Sequence, residues 1–237
     1  MMRMTFEDSE YVADFGLVYS KANELLVTSS AIDGFPFKVK KFIKEQSDIG
    51  LCTYKKAKAK FGIDVSCFGS ESAVIQELNG AYIIFYNQEE PTYRVRFSIM
   101  HEFAHYYLGH EMNLNQQMLM YQKQEVEANC FAAQILMPEQ IIRTATRRGD
   151  ATDVGYIMNA FDVSLDAAQR RKKTLARYDY EWHNCSEKEY DDLIVMKYAK
   201  VINTIAPINQ NRFFDFDDEY EREMHRKEWM DTRSRWS

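Results

Sequence analysis

The chain has no CxxC pair: Cys52, Cys67, Cys130 and Cys185 lie scattered along it. That spacing reads as reduced thiols in a cytoplasm rather than as a disulfide framework. No apolar h-region follows the acidic N-terminal stretch from Thr5 to Asp14, and no apolar run approaches the roughly 18 to 20 residues that span a bilayer. A soluble, cytoplasmic protein without membrane insertion is the expectation. Excess positive charge is missing too. The formal charge of −6 argues against a protein that wraps nucleic acid with its whole surface, although a local basic patch is compatible with that sum. Internal repeats and low-complexity linkers are absent. What the chain does have is 237 residues, 46% of them hydrophobic, enough to bury a real core as one compound domain or one domain with a helical appendage.

Apolar residues recur at helical spacing from Tyr11 to Ala31 until Phe35-Pro36 breaks the pattern, and Phe37 to Lys44 predicts a second short helix. Ile49 to Tyr54 reads as a short strand. Lys55 to Phe61, with lysines interleaved among alanines and stopped by Gly62, reads as an exposed helix whose lysines form a solvated face. Two β-prone runs, Ser72 to Leu78 and Ala81 to Tyr86, flank Asn79-Gly80, the strongest short-range signal for a two-residue hairpin turn. A mostly apolar helix follows from Arg94 to Gly109, with Thr92 as N-cap and Gly109 as stop. Beyond a polar, Met- and Gln-rich connection (Glu111 to Gln124), a further helix from Glu125 to Met137 is ended or redirected by Pro138.

The helix from Arg94 carries His101-Glu102-Phe103-Ala104-His105. Each helical residue advances by about 100°, so two imidazoles four residues apart share one face, the way a helix grips zinc. Neutral imidazole nitrogens bind zinc at about 2.0 to 2.1 Å, and a catalytic site takes three protein ligands, leaving a fourth position for water. His101 and His105 supply two. The acidic start Glu125-Val126-Glu127-Ala128-Asn129 is the best-placed source of the third. Glu125 is favoured over Glu127 because Asn129 lies four residues later on its face, where the amide would accept a ligand histidine's free N–H. Glu102 is placed to act as general base on the activated water and to pass the proton to the leaving amine. The long metzincin pattern requires Gly and His at spacings that Gly109 and His110 do not have, so His110 reads as a helix-end or supporting residue. Tyr106 and Tyr107 read as core, His183 and His225 as surface histidines, and the oxyanion donor is not named by the sequence.

These blocks, Arg96 through His110 and Glu125 through Pro138, resemble the ImmA/IrrE-type metallo-endopeptidases, with weaker agreement from Phe35-Pro36 to Asn87 and from Phe161 to Arg171. The resemblance covers roughly residues 35 to 177 and leaves the last sixty uncovered. It implies an α+β, minimal zincin-like core of gluzincin type with a small β-sheet, with His101, His105 and Glu125 as zinc ligands and Glu102 as the catalytic carboxylate. It also implies an activity: members often cut helix-turn-helix repressors of mobile elements or stress regulons and so release transcription. Some members carry a repressor-like domain of their own. None precedes the peptidase-like stretch here, so the expected partner acts in trans. Zinc peptidases commonly hold substrate as an added strand along an exposed edge beside the metal, and Ala81, Tyr82, Ile83, Ile84, Phe85 and Tyr86 form the candidate edge, with plain sheet core as the equal alternative.

Pro138 to Arg148, Thr152 to Ala160 and Leu165 to Arg177 predict three short helices, the last two resembling a helix-turn-helix with Ser164 as N-cap. Arg170, Arg171, Lys172, Lys173 and Arg177 would put positive charge on its second helix. DNA phosphates or an acidic patch on a repressor would suit that charge, while a solvated face packed on the peptidase is the favoured reading. Ser186-Glu187-Lys188-Glu189 is a capping box for an amphipathic helix to Ile205, stopped by Pro207, and an aromatic and charged tail follows from Phe213 to Trp236. The expected organisation is therefore a peptidase domain with a helical cover (1–138), a helix-turn-helix-like region (139–178) and a helical extension (179–237). The function expected is zinc-dependent cleavage of a regulatory protein. The alternative is a regulator that works by binding a repressor or DNA without cutting.

Overall fold

The computed structural model describes residues 12–46, 48–64, 67, 69–78, 80–111, 118–148, 153–177 and 185–207, without the side chains of 185–187. Asn79, Thr152, His183, the Ser186 and Glu187 side chains of the capping box, His225 and the 213–236 tail lie outside the described residues. Met1–Ala206 form one compact unit, and Pro207–Ser237 a second of which only Pro207 is described.

Asp14 opens helix α1 (Phe15–Thr28), its side chain accepting the Leu17 N–H at 3.0 Å. After α2 (Val39–Glu45) comes strand β1 (Ile49–Thr53), and Thr53 then caps α3 (Tyr54–Phe61), which ends at Gly62 in the left-handed region (φ +67°). Only Tyr54 and Ala57 of α3 are buried, and its lysines are exposed, as the spacing predicts. Strands β2 (Ala73–Leu78) and β3 (Ala81–Tyr86) follow.

The strand order is β1-β3-β2: β3 pairs in parallel with β1 (Leu51↔Ile84) and antiparallel with β2 (Ile75↔Ile84). This corrects the candidate edge. Ala81 to Tyr86 is the central strand, hydrogen-bonded on both sides, and Ile84 and Phe85 are fully buried. Its near-continuous apolar run is what two covered faces require. Alternation along the strand sends Ile84 and Tyr86 into the main core, and Phe85 into a small cluster with Cys52, Tyr54 and Ala57 beneath α3. The edge that remains next to the site is β2.

Helix α4 runs over Thr92–Tyr107. Pro91, not Thr92, occupies its N-cap, and the Pro91 carbonyl accepts the Arg94 and Val95 N–H groups, so Thr92 is the first helical residue. Helix α5 spans Met118–Leu136, about two turns earlier in its start than the sequence pattern predicts, because a polar Met- and Gln-rich segment has helix propensity without an apolar stripe to betray it. Val95, Ile99, Met100, Phe103 and Ala104 turn the inner face of α4 into the core. Phe103 stacks on Tyr107 and packs edge-on against Phe42, and Phe131 of α5 meets both Phe103 and Tyr107. Fully burying each such phenylalanine is worth about 1.5–3 kcal/mol.

Helices α6 (Glu139–Arg147), α7 (Val154–Phe161) and α8 (Leu165–Leu175) match the three predicted helices, and Ser164 caps α8 by accepting the Ala167 N–H. Two buried arginines tie them down. Arg96 of α4 donates to the carbonyls of Phe161 and Asp162 and to the Asp162 carboxylate, at the end of α7. Arg171 of α8 is 2% exposed and donates to the Met137 carbonyl, the Tyr19 hydroxyl and the Gln134 side chain. It therefore leaves the set of cations expected on the outer face of that helix. Finally α9 (Cys185–Lys197) and α10 (Ala199–Ile205) grip the end of α1: Lys197 donates to the carbonyls of Leu26, Val27 and Ser29, and the Tyr198 hydroxyl reaches those of Leu26 and Ile32. No helix among the described residues is long and apolar enough to cross a membrane.

Candidate active site

On α4 the face opposite the core carries Ser98, His101, Glu102 and His105 into a cleft of about 810 Å³, walled across from them by Ala73 to Ile75 of β2. The side chains are half-buried because the sheet edge and α5 close over them from two sides. The Nε2 atoms of His101 and His105 lie 3.1 Å apart. Glu125, brought in by α5, places Oε2 3.5 Å from His101 Nε2 and Oε1 3.3 Å from His105 Nε2. Among the described residues these three form the group of His, Cys, Asp and Glu side chains close enough to hold a metal ion. Donors bound at 2.0–2.1 Å in a tetrahedral arrangement sit about 3.4 Å from one another. The observed separations of 3.1, 3.3 and 3.5 Å fit that requirement, with two nitrogens and one carboxylate as the donor set.

The electrostatics follow from this proximity. Glu125 is held far below the ordinary carboxylate range by its hydrogen bonds to His101 and His105. For His101, burial works to lower the pKa, but the Glu125 bond, the charges of Glu102 and Glu125 and a bond to Asn129 outweigh it and leave it raised. Glu102 is pushed up by burial, against the pull of His101, His105 and the Ile75 amide, which donates to its Oε2 at 2.9 Å. Asn129 donates its Nδ2 to the Glu125 carbonyl at 2.7 Å and also hydrogen-bonds the His101 side chain.

Glu127 stands apart from the cleft. It is buried on another side of α5, with Oε2 3.1 Å from His110 Nε2 and Oε1 accepting the Asp14 N–H at 2.7 Å. His110 in turn lies 3.0 Å from His105, Nδ1 to Nδ1, and burial and the charges of His105 and His101 press its pKa down to about 4. Tyr106 packs on Tyr82 and Tyr107 on Phe103, both half-buried against the core. The phenol that does reach the cleft is Tyr121, which lines it and hydrogen-bonds Glu125, and whose pKa is raised by burial and by the Glu125 charge. Sequence reasoning missed it because it precedes the recognisable acidic motif by one helical turn. That same spacing, Tyr121 to Glu125, is the only local signal that could have found it.

Comparison with known families matches residues 54–173, just over half of the chain, to Peptidase_M78, described as the IrrE N-terminal-like domain. The matched stretch runs from the start of α3 to α8 and includes every residue of the cluster. Comparison with curated proteins finds no match.

Proposed function

The chain belongs to the Peptidase_M78 family of IrrE N-terminal-like domains, and from that premise we propose that it is a zinc-dependent endopeptidase that cleaves a cytoplasmic regulatory protein, a helix-turn-helix repressor of a mobile element or stress regulon. The observation that carries the reading is the convergence of His101, His105 and Glu125 from two helices at donor separations suited to one tetrahedral ion. When bound there, zinc supplies a Lewis acid that polarises the scissile carbonyl and makes an attacking water acidic at neutral pH.

The protein's own groups do the rest. Glu102 is the general base: the Ile75 N–H anchors Oε2, leaving Oε1 to take the water's proton and deliver it to the departing amine nitrogen. Tyr121, which lines the cleft, is the neutral donor assigned to the developing oxyanion, its O–H passing from Glu125 to that oxygen as charge builds there. Substrate pairs as an extended strand with β2. Alternation of the antiparallel ladder, marked by the Asn87 N–H to Ser72 carbonyl bond, turns the backbone groups of Ala73, Ile75 and Glu77 away from β3; the Ile75 N–H is committed to Glu102, so the substrate strand is held through the groups of Ala73 and Glu77.

The test is Glu102→Gln. It should retain about one zinc per chain by elemental analysis and lose cleavage of the repressor. Derepression that persists in this variant would move the function from cutting to binding.

A further inference from the structure

The two ring nitrogens of His105 meet different surroundings. Nε2 belongs to the cluster with His101 and Glu125, whereas Nδ1 faces Nδ1 of His110 at 3.0 Å. Away from a shared metal, two imidazole nitrogens approach that closely when one carries a proton and the other a lone pair. His110 Nε2 lies 3.1 Å from Glu127 Oε2, and an ionised carboxylate only accepts, so the proton of a neutral His110 sits on Nε2. His110 Nδ1 is then the acceptor and His105 Nδ1–H the donor. With the metal taking the place of a proton between His105 Nε2 and Glu125 Oε1, 3.3 Å away, the single proton of His105 is the Nδ1–H that His110 accepts, and Nε2 keeps the lone pair a ligand needs.

Glu127 is itself fixed. Its second oxygen accepts the Asp14 backbone N–H, at the N-cap of α1, so both carboxylate oxygens receive a donor. The side chains of His110 and Glu127 are only 6% and 8% exposed, which keeps water from competing for these bonds. Gly109, at φ +71°, makes the reversal after α4 that folds the His110 ring back beneath His105.

We propose that His110 and Glu127 are positioning residues forming a relay that locks His105 in its Nδ1–H tautomer and aims Nε2 at the metal; this rests on His101, His105 and Glu125 being the metal site. His101 is oriented separately, through Asn129.

The relay makes an unusual prediction for Glu127→Gln. A glutamine has one acceptor oxygen, and the Asp14 N–H claims it because a backbone donor cannot reverse its role. The amide NH₂ is then turned to His110 Nε2, which must accept. His110 becomes the Nδ1–H tautomer, and His105 must accept at Nδ1 and carry its proton on Nε2, where it blocks the ligand lone pair.

The experiment is a long-range ¹H–¹⁵N correlation spectrum of the zinc-loaded full chain, labelled at histidine and recorded at pH 8, with zinc affinity measured beside it by chelator competition. Wild type should show His105 protonated at Nδ1 and His110 at Nε2. Glu127→Gln should move the His110 proton to Nδ1, with zinc bound about 10- to 100-fold more weakly. A His110 protonated at Nδ1 in wild type, or an unchanged zinc affinity in Glu127→Gln, would overturn the relay. Should that variant fail to fold, His110→Phe removes the acceptor while filling the space, and the same weakening of zinc binding is expected. A wild type that binds no zinc defeats the metal reading, and the His110 tautomer in that sample then judges the relay.

Discussion

The backbone N–H of Ile75, on the outer strand of the sheet, donates to the side chain of Glu102 on α4 at 2.9 Å. That one bond joins the strand on which a substrate would pair to the carboxylate that would work on it. It also uses a donor that β2 does not need for its own ladder, because this N–H points away from β3.

Ile75→Pro removes that donor and leaves the β2–β3 pairing in place. A hydrogen bond to a charged group is worth about 1.5–3 kcal/mol, so kcat should fall about 10- to 100-fold as the base loses its anchor. Metal content, measured on the same preparation, should not change. A fall in metal content would instead mean that the strand holds the cluster together.

Tyr121→Phe tests the phenol of the cleft. Loss of one oxyanion donor costs about 10²-fold in kcat. The substitution should do so with KM and zinc stoichiometry little altered, because Tyr121 lines the cleft beside Glu125 without belonging to the three-donor group. Steady-state kinetics on the cleaved substrate decide it, and an unchanged kcat would reduce Tyr121 to a partner of Glu125.

The metal-free site should leave a mark on stability against pH. Glu125 is depressed below its ordinary value of 4.5 by its bonds to His101 and His105, so its contribution is complete above that pH and is lost as the pH falls. His101 is raised above 6.5, so its contribution is complete below that pH and is lost as the pH rises. Thermal melts of metal-free wild type and Glu125→Gln across pH should therefore differ most between about 4.5 and 6.5, with the gap narrowing on both sides. A pH-independent difference would contradict the pairing.

Tyr198→Phe probes the attachment of the C-terminal helices, which lie beyond the matched stretch of 54–173. It deprives the buried Leu26 and Ile32 carbonyls of their shared donor, a loss of about 1–2 kcal/mol and of roughly 2–8 °C in Tm. Specific activity measured below the melting range should stay at the wild-type level, since none of these groups lines the cleft.

Much of the fold was legible because it is local. Lys55 to Phe61 shows its exposed lysines and its Gly62 stop in sequence order, and Ser164 announces α8. The ends of β3 fall where the apolar run does. Where the chain misled, the deciding fact lay elsewhere in space. Arg171 sits in a run of cations that reads as an exposed face, yet it is buried because α8 packs on the end of α5, where the Met137 carbonyl needs a donor. Thr92 resembles an N-cap, but the preceding Pro91 already supplies the carbonyl that opens the helix.

Helical periodicity, fixed by backbone geometry over a few residues, already puts His101 and His105 on one face with Glu102 beside them, and Glu125 and Asn129 on one face of the next helix. Long-range packing, in contrast, puts β3 at the centre and β2 at the edge, brings Glu125 to the two histidines, and turns Glu127 inward to His110 and Asp14. Strand order and the approach of two helices depend on which apolar faces bury one another across long separations in the chain, and no local pattern encodes that choice.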